Sequence, residues 1–130
     1  MRIVWMTCAD ADQVDRRTSL YNVFGTTFYV DEFPLRVHVP AIAIVQGREE
    51  DYTVSGRVLG PDNEVVMTLR PMRLENRPLT PDLHPEGWEW QGLVRLDVIV
   101  PADGPGTYVV EARLDEQVPA TLPIRILLEQ

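Results

Sequence analysis

Residues 106–128 read GTYVVEARLDEQVPATLPIRILL, and the alternation inside this stretch decides the fold. Tyr108, Val110, Ala112 and Leu114 fall on one side, with Thr107, Val109, Glu111 and Arg113 on the other. After Asp115, Glu116 and Gln117 the alternation resumes. Val118, Ala120, Leu122, Ile124, Ile126 and Leu128 share a face, opposite Pro119, Thr121, Pro123 and Arg125. Period two in successive runs, each with one apolar side, describes antiparallel strands that are half-buried. For both apolar sides to enter one core, Leu114 has to pair with Val118, Ala112 with Ala120 and Val110 with Leu122. A two-residue turn would flip one side outward, so a loop of Asp115, Glu116 and Gln117 is expected. In that register the backbone nitrogens of Pro119 and Pro123 point away from the hairpin. Proline cannot donate to a ladder, so this side is expected to be a free or interrupted edge, with the hairpin last in its sheet.

The run before it, residues 88–100, is equally regular. Trp88, Trp90, Gly92, Val94, Leu96, Val98 and Val100 share one side; Glu89, Gln91, Arg95 and Asp97 share the other, with Leu93 and Ile99. A strand with two tryptophans on one side places them in or at the rim of a core before it makes them an exposed anchor. Further upstream, residues 36–46 (RVHVPAIAIVQ) form a valine- and isoleucine-rich run whose Pro40 marks an edge or a bulge. Residues 52–59 and 64–70 are joined by Gly60-Pro61-Asp62-Asn63, a turn composition, with Val65, Met67 and Leu69 as the inward set of the second run. Residues 2–8 (RIVWMTC) are apolar on both parities, as for a strand covered on both sides or passing between sheets. A polar break over residues 9–18 separates them from two short strand-like runs around Gly25.

Nowhere does an apolar stripe recur at helical spacing. Seven to nine short strands with turn signals between them predict a single all-β domain over residues 1–130, an antiparallel β-sandwich with little or no helix. Tyr108 enters its strand just after a Pro-Gly corner and resembles the tyrosine-corner position of immunoglobulin-like domains, so the expected architecture is immunoglobulin-like. The cysteine pair of antibody domains is absent: the chain has one cysteine, Cys8, and it reads as a small buried hydrophobe.

The N-terminal third resembles a family of short bacterial and phage β-sandwich proteins catalogued as a domain of unknown function. That family runs from an apolar strand into Ala-Asp, then a Lys-Leu-x-x-x-x-Gly strand and later a Phe-Pro. The matching residues are Cys8-Ala9-Asp10, Leu20 to Gly25, and Phe33-Pro34, with Ser19 in place of the lysine. The Pro-Gly-Thr-Tyr corner and closing hairpin fit as well, and the middle of the chain is unmatched. The resemblance implies a fold and transfers no catalytic role.

Composition narrows the function. Of 130 residues 45% are apolar and 25% charged, the proportions of an ordinary globular domain. The formal net charge is −8, and all 12 basic residues are arginine. An acidic chain lacks the basic charge that neutralises phosphates, so nucleic acid is not an expected partner. Met1 leads directly into a strand and no apolar stretch approaches 18 residues, which predicts a cytoplasmic protein away from membranes.

Candidate chemistry is sparse. Asp10, Asp12 and Asp15 form a D-x-D-x-x-D cluster of the kind that can hold calcium, but without the glycine and distal glutamate of an EF-hand loop; turn formation and solvation explain it better. His84 and Glu86, with Asp82 nearby, lie in residues 71–87, a segment with four of the chain's 11 prolines. No nucleophile motif, zinc spacing or phosphate-cradling loop is present, so no cofactor and no metal are expected. Arg70, Arg73 and Arg77 could grip an anionic partner, against the simpler reading that they pair with this chain's 20 acids. The expected function is a non-enzymatic binding or assembly module for a protein partner or for itself. Its contact residues are placed at Arg73, Arg77, Leu79, Leu83 and His84 of the proline-rich segment. Two rivals remain. One is a hydrolase that brings Asp10, Asp12, His84 and Glu86 into one pocket; the other is a sandwich with a small-ligand cavity between its sheets.

Overall fold

Among the described residues there are nine strands: β1 (Arg2–Val14), β2 (Arg17–Phe24), β3 (Thr27–Val30), β4 (Leu35–Gly47), β5 (Asp51–Leu59), β6 (Val65–Glu75), β7 (Trp90–Ala102), β8 (Gly106–Leu114) and β9 (Ala120–Leu128). The computed structural model describes residues 1–14, 17–48, 51–75, 89–115 and 117–130, and for residues 11–24 it describes the backbone alone. The described residues contain no helix. One sheet has the order β2-β1-β4-β7 and the other β3-β9-β8-β5-β6. Every pairing is antiparallel except β3 with β9, which is parallel. The two sheets pack face to face as an all-β sandwich.

Alternation builds the interior. From β4 it takes Val37, Val39, Ala41, Ala43 and Val45, and from β7 Val94, Leu96, Val98 and Val100, all buried. Tyr52, Val54 and Val58 of β5 face them, with Tyr108, Val110, Ala112 and Leu114 of β8 and Leu122, Ile124 and Ile126 of β9. Each buried valine, leucine or isoleucine among them contributes roughly 1.5–3 kcal/mol over its exposed state, which makes the inward parity of a strand its strongest positional signal. Trp90 packs partly buried against this core, as the rim reading expects, while Trp88 lies outside the described residues.

The closing hairpin keeps its expected register at Val110↔Leu122 and Ala112↔Ala120. The expected Leu114–Val118 pair is not made, and Val118 is 91% exposed. Asp115, at φ 48°, turns the chain toward β5: its backbone N–H donates to the Thr53 carbonyl at 2.8 Å, and its carboxylate accepts from the Thr53 N–H at 3.1 Å. The Gln117 N–H then donates to the Leu114 carbonyl at 3.0 Å. The connection is thereby clipped to β5, and pairing restarts only at Ala120. At the other end Leu128, expected inward, is 48% exposed.

The hairpin is not last in its sheet, which corrects the expectation. β3 lies alongside β9 from Thr27↔Arg125 to Val30↔Leu128, with the N–H groups of Arg125 and Glu129 donating to Thr26 and Val30 at 2.8 Å. The interrupted edge survives in a narrower form, because β3 covers only the part of β9 beyond Pro123. Pro40 follows the same logic within a central strand. The ladder from β1 to β4 ends at Cys8↔Ala41, so the proline stands just where β4 begins to pair with β7 alone.

Three further boundaries differ from the sequence reading, each for a stated cause. β1 runs through Asp10 to Val14, because pairing with β2 carries polar residues into a strand that local composition marks as a break. β6 continues past Arg70 through Pro71 to Glu75, so the start of the proline-rich segment is strand. In β6 the inward set shifts from Val65, which is 49% exposed, to Val66, because a register shift between Val58↔Met67 and Leu59↔Val65 inserts one residue. The turn before it forms as composed, with the Gly60 N–H donating to Glu64 at 2.7 Å and the Asn63 N–H to Gly60 at 2.9 Å.

Two close contacts give tests of this architecture. The Tyr108 hydroxyl donates to the Gly104 carbonyl at 2.7 Å and ties the start of β8 to the preceding turn. Tyr108→Phe keeps the buried ring and loses that bond, so urea unfolding is expected to show a loss of about 1 kcal/mol with unchanged circular dichroism. At Gly56 an added Cβ would lie 2.6 Å from the Glu111 carbonyl oxygen and 2.8 Å from Leu69 Cδ1. Backbone cannot yield there, and Gly56→Ala is expected to lose about 1–3 kcal/mol in the same measurement.

Candidate interaction site

The outer face of the four-stranded sheet is organised by a bulge in β1. Ile3 pairs with Val45 and Trp5 with Ile44, so Val4 is the extra residue between them. One inserted residue reverses the parity of everything after it. Ile3 packs on the core before the bulge, and Met6 and Cys8 do so after it. This is why residues 2–8 are apolar on both parities. Val4 and Trp5 are left outward, 53% and 48% exposed. Trp5 stands across from Ile44, which stands across from Leu93, and all three lie on the outer side of their strands. The next row, Thr7–Ile42–Arg95, supports it: Ile42 is outward in parity yet only 2% exposed.

A polar clamp closes the end of this apolar row. The Arg2 guanidinium forks onto Glu89, with Nη1 to Oε1 and Nη2 to Oε2 both at 3.3 Å, and Gln46 Nε2 donates to the same carboxylate. The hydrogen bonds from Arg2 and then from Gln46 hold the Glu89 carboxyl below its ordinary range. The clamp ties the start of β1 to the entry of β7, on either side of β4.

The outer face of the five-stranded sheet is polar. Arg57 stands across from Thr68 on one side and Glu111 on the other, and Ser55 stands across from Arg113. Arg57 Nε donates to Glu111 Oε2 at 2.6 Å, with the Glu111 side chain only 14% exposed. A cleft of about 410 Å³ opens among Ser55, Arg57, Thr68, Glu111 and Arg113. It lies over a bulge in the β5–β6 pair. Between Val54↔Met72 and Gly56↔Leu69, β6 has one residue more than β5.

The residues singled out from sequence distribute as follows. Arg73 is exposed and pairs with Asp51 at 3.6 Å. Arg70 is exposed too, and Leu74 is partly buried against the core opposite Tyr52. Arg77, Leu79, Leu83, His84, Asp82 and Glu86 lie outside the described residues, as does Asp15; Asp12 is described in backbone only. Asp10 sits beside a hollow of about 170 Å³ with His38, Asp97 and Arg95, a grouping the linear sequence hides because it spans three strands. His38 Nε2 lies 3.8 Å from Asp97 Oδ1, both side chains well exposed. No serine, threonine or cysteine is among the described residues lining that hollow. Among the described residues no three His, Cys, Asp or Glu side chains gather as a metal site, and no helix is long and apolar enough to cross a membrane. Trp5 was absent from the candidates; its signal was the double-parity run itself, which a bulge explains.

Searches of family models, curated proteins and solved structures returned no match, so the two surfaces are read from their own chemistry.

Cys8 offers a test of how tightly β1 is held. It is fully buried, and burial pushes its thiol above the ordinary value, as it does the Tyr52 phenol. A raised pKa means the native state holds its proton longer than the unfolded chain. Stability from this source is therefore complete below the ordinary thiol pKa, ~8.5, and lost as pH rises past it. Urea unfolding is expected to show wild type weakening from about pH 8.5 upward, whereas Cys8→Ala begins lower and stays level until the pH passes the ordinary tyrosine pKa, ~10, where the unfolded chain starts to lose the proton that native Tyr52 keeps. Iodoacetamide is expected to label Cys8 only as fast as the chain unfolds.

Proposed function

We propose that the chain is a non-enzymatic, immunoglobulin-like binding module that works in the cytoplasm and contacts a protein partner through the outer face of its four-stranded sheet. The observation that carries this reading is the Val4–Trp5 pair, turned outward by the β1 bulge and aligned with Ile44 and Leu93 across three strands. Tryptophan is among the residues that dominate interface energetics, and bulges recur where a side chain must be re-aimed. A clamp of Arg2, Glu89 and Gln46 beside an apolar centre gives the polar rim that such contacts use.

The strand order supports the immunoglobulin-like assignment. Taking β4 to β9 as B, C, C′, E, F and G puts B with E in one sheet and C, C′, F and G in the other. Tyr108 opens the F-like strand with its hydroxyl bonded four residues back, as a tyrosine corner requires. A single buried cysteine suits a reducing compartment. The rival readings draw less support. The hydrolase set keeps only Asp10 with a described side chain, and the hollow where Asp10 lies with His38 has no serine, threonine or cysteine among its described lining. The opening at the flank between the sheets, beside Val54, Leu69, Met72 and Leu96, holds only about 170 Å³, against several hundred for a typical ligand pocket.

The test compares variants for partner capture from the source cell, with thermal unfolding followed in parallel. Trp5→Lys is expected to abolish capture while shifting the melting temperature little, because the ring is half-exposed. Arg73→Ala with Arg77→Ala is the contrasting arm. Capture lost there and retained in Trp5→Lys would move the contact to the end of β6 and the residues that follow it, including Leu79, Leu83 and His84.

A further inference from the structure

We propose that the cleft on the outer face of the five-stranded sheet binds an acidic side chain of a protein partner, an aspartate or glutamate next to an apolar residue, with Arg113 as its ion-pairing group. The site lies on the sheet opposite Trp5 and stands independently of the reading above.

An exposed arginine alone is ordinary solvated surface. What distinguishes Arg113 is the arrangement around it. Arg57, two residues along the neighbouring strand from Ser55, is already matched by Glu111 at 2.6 Å, and the Glu111 side chain is largely buried. Arg113 makes no side-chain hydrogen bond or ion pair among the described residues and points into the same cleft. Summed over the lining, Arg57 and Glu111 cancel and one positive charge remains. A single carboxylate balances it, whereas a phosphate dianion would leave one negative charge uncompensated. The guanidinium fork of Arg113 fits a carboxylate through two parallel hydrogen bonds. Ser55, directly across the ladder, and Thr68 add hydroxyl donors to the same space. Leu69 and Pro119 supply apolar wall, which selects an acid with an apolar neighbour over a bare polar one.

The choice of a protein segment over a small acid follows from exposure. Arg57, Thr68, Pro71 and Arg113 around the cleft are all exposed, so the site lies open. A small ligand gains its affinity by burying most of its surface, which an open face cannot provide; a segment of a larger surface can rest across it. Strand addition at this end is disfavoured, because Pro71 and the register shift opposite Ser55 interrupt the free side of β6. Recognition is therefore by side chains.

The experiment selects a displayed library of random heptapeptides on the whole folded protein, then resynthesises the recovered sequence. Enrichment of Asp or Glu at one position, beside an apolar residue, is expected. Changing that acid to its amide is expected to weaken binding roughly 10- to 100-fold, the range for one hydrogen-bonded charge. Arg113→Gln, with unchanged melting temperature, is expected to lose the same factor, while Arg125→Gln on the same face binds as wild type. Recovered sequences without an acid, undiminished binding by Arg113→Gln, or equal loss in Arg125→Gln would overturn the proposal. So would displacement of the peptide by an equal concentration of free glutarate, which would make this a small-acid site. Sedimentation showing a dimer that Arg113→Gln dissociates would overturn it in favour of a second copy.

Discussion

Every strand of this sandwich has to hold one parity toward the interior, and the rest of the structure follows from how that constraint is met. Inward valines and isoleucines of β4, β7, β5, β8 and β9 fill the space between the sheets, and several of them are wholly inaccessible. Slipping any of these strands by one residue would exchange its apolar set for its polar one, a loss of several buried side chains at once. β8 is fixed from both sides and at its start. It pairs with β5 on one side and β9 on the other, and its Tyr108 hydroxyl is tied back to Gly104.

Where the chain departs from strict alternation, a bulge restores the inward parity, and both candidate surfaces lie at such places. In β1 the extra Val4 lets Ile3 and then Met6 and Cys8 all reach the core, and it turns Val4 and Trp5 out together. In the β5–β6 pair the register shift opposite Ser55 brings Leu69 over Gly56, where no side chain could fit, and leaves a depression flanked by Arg57 and Arg113. A regular ladder would have produced neither feature. The constraint that defines the core thus also determines where the surface is irregular.

This explains how much was readable beforehand. Two long-range pairs of the closing hairpin, the inward set of β7 and the turn at Gly60 to Asn63 follow from local alternation and turn chemistry, and the structure has them. Val118 was misplaced because the competing partner of Asp115 is Thr53, more than sixty residues away in sequence. β3 beside β9 and the extension of β6 to Glu75 likewise depend on pairing between distant segments. Of the candidate site, Arg73 was found exposed, but Trp5 and the Arg57, Glu111 and Arg113 group were not anticipated. Their meaning arises across ladders, between residues that no spacing rule connects.

Charge adds a last constraint on the proposed contacts. The chain as a whole carries a formal charge of −8, so an acidic partner is repelled at distances beyond contact, and the attraction at Arg113 acts only at close range. Salt acts on the two in opposite directions. At physiological ionic strength charges are screened over about 8 Å, which removes most of the long-range repulsion while a hydrogen-bonded pair in contact is weakened less. Encounter with an acidic segment is therefore slow at low salt and faster as salt rises, the reverse of the steering that basic proteins use toward anions. The apolar row on the opposite sheet, Trp5, Ile44 and Leu93 across three strands, carries no charge and is unaffected by this balance. The two faces thus answer to different physical conditions. A partner that reached both would be held by apolar contact on one side and selected by charge on the other.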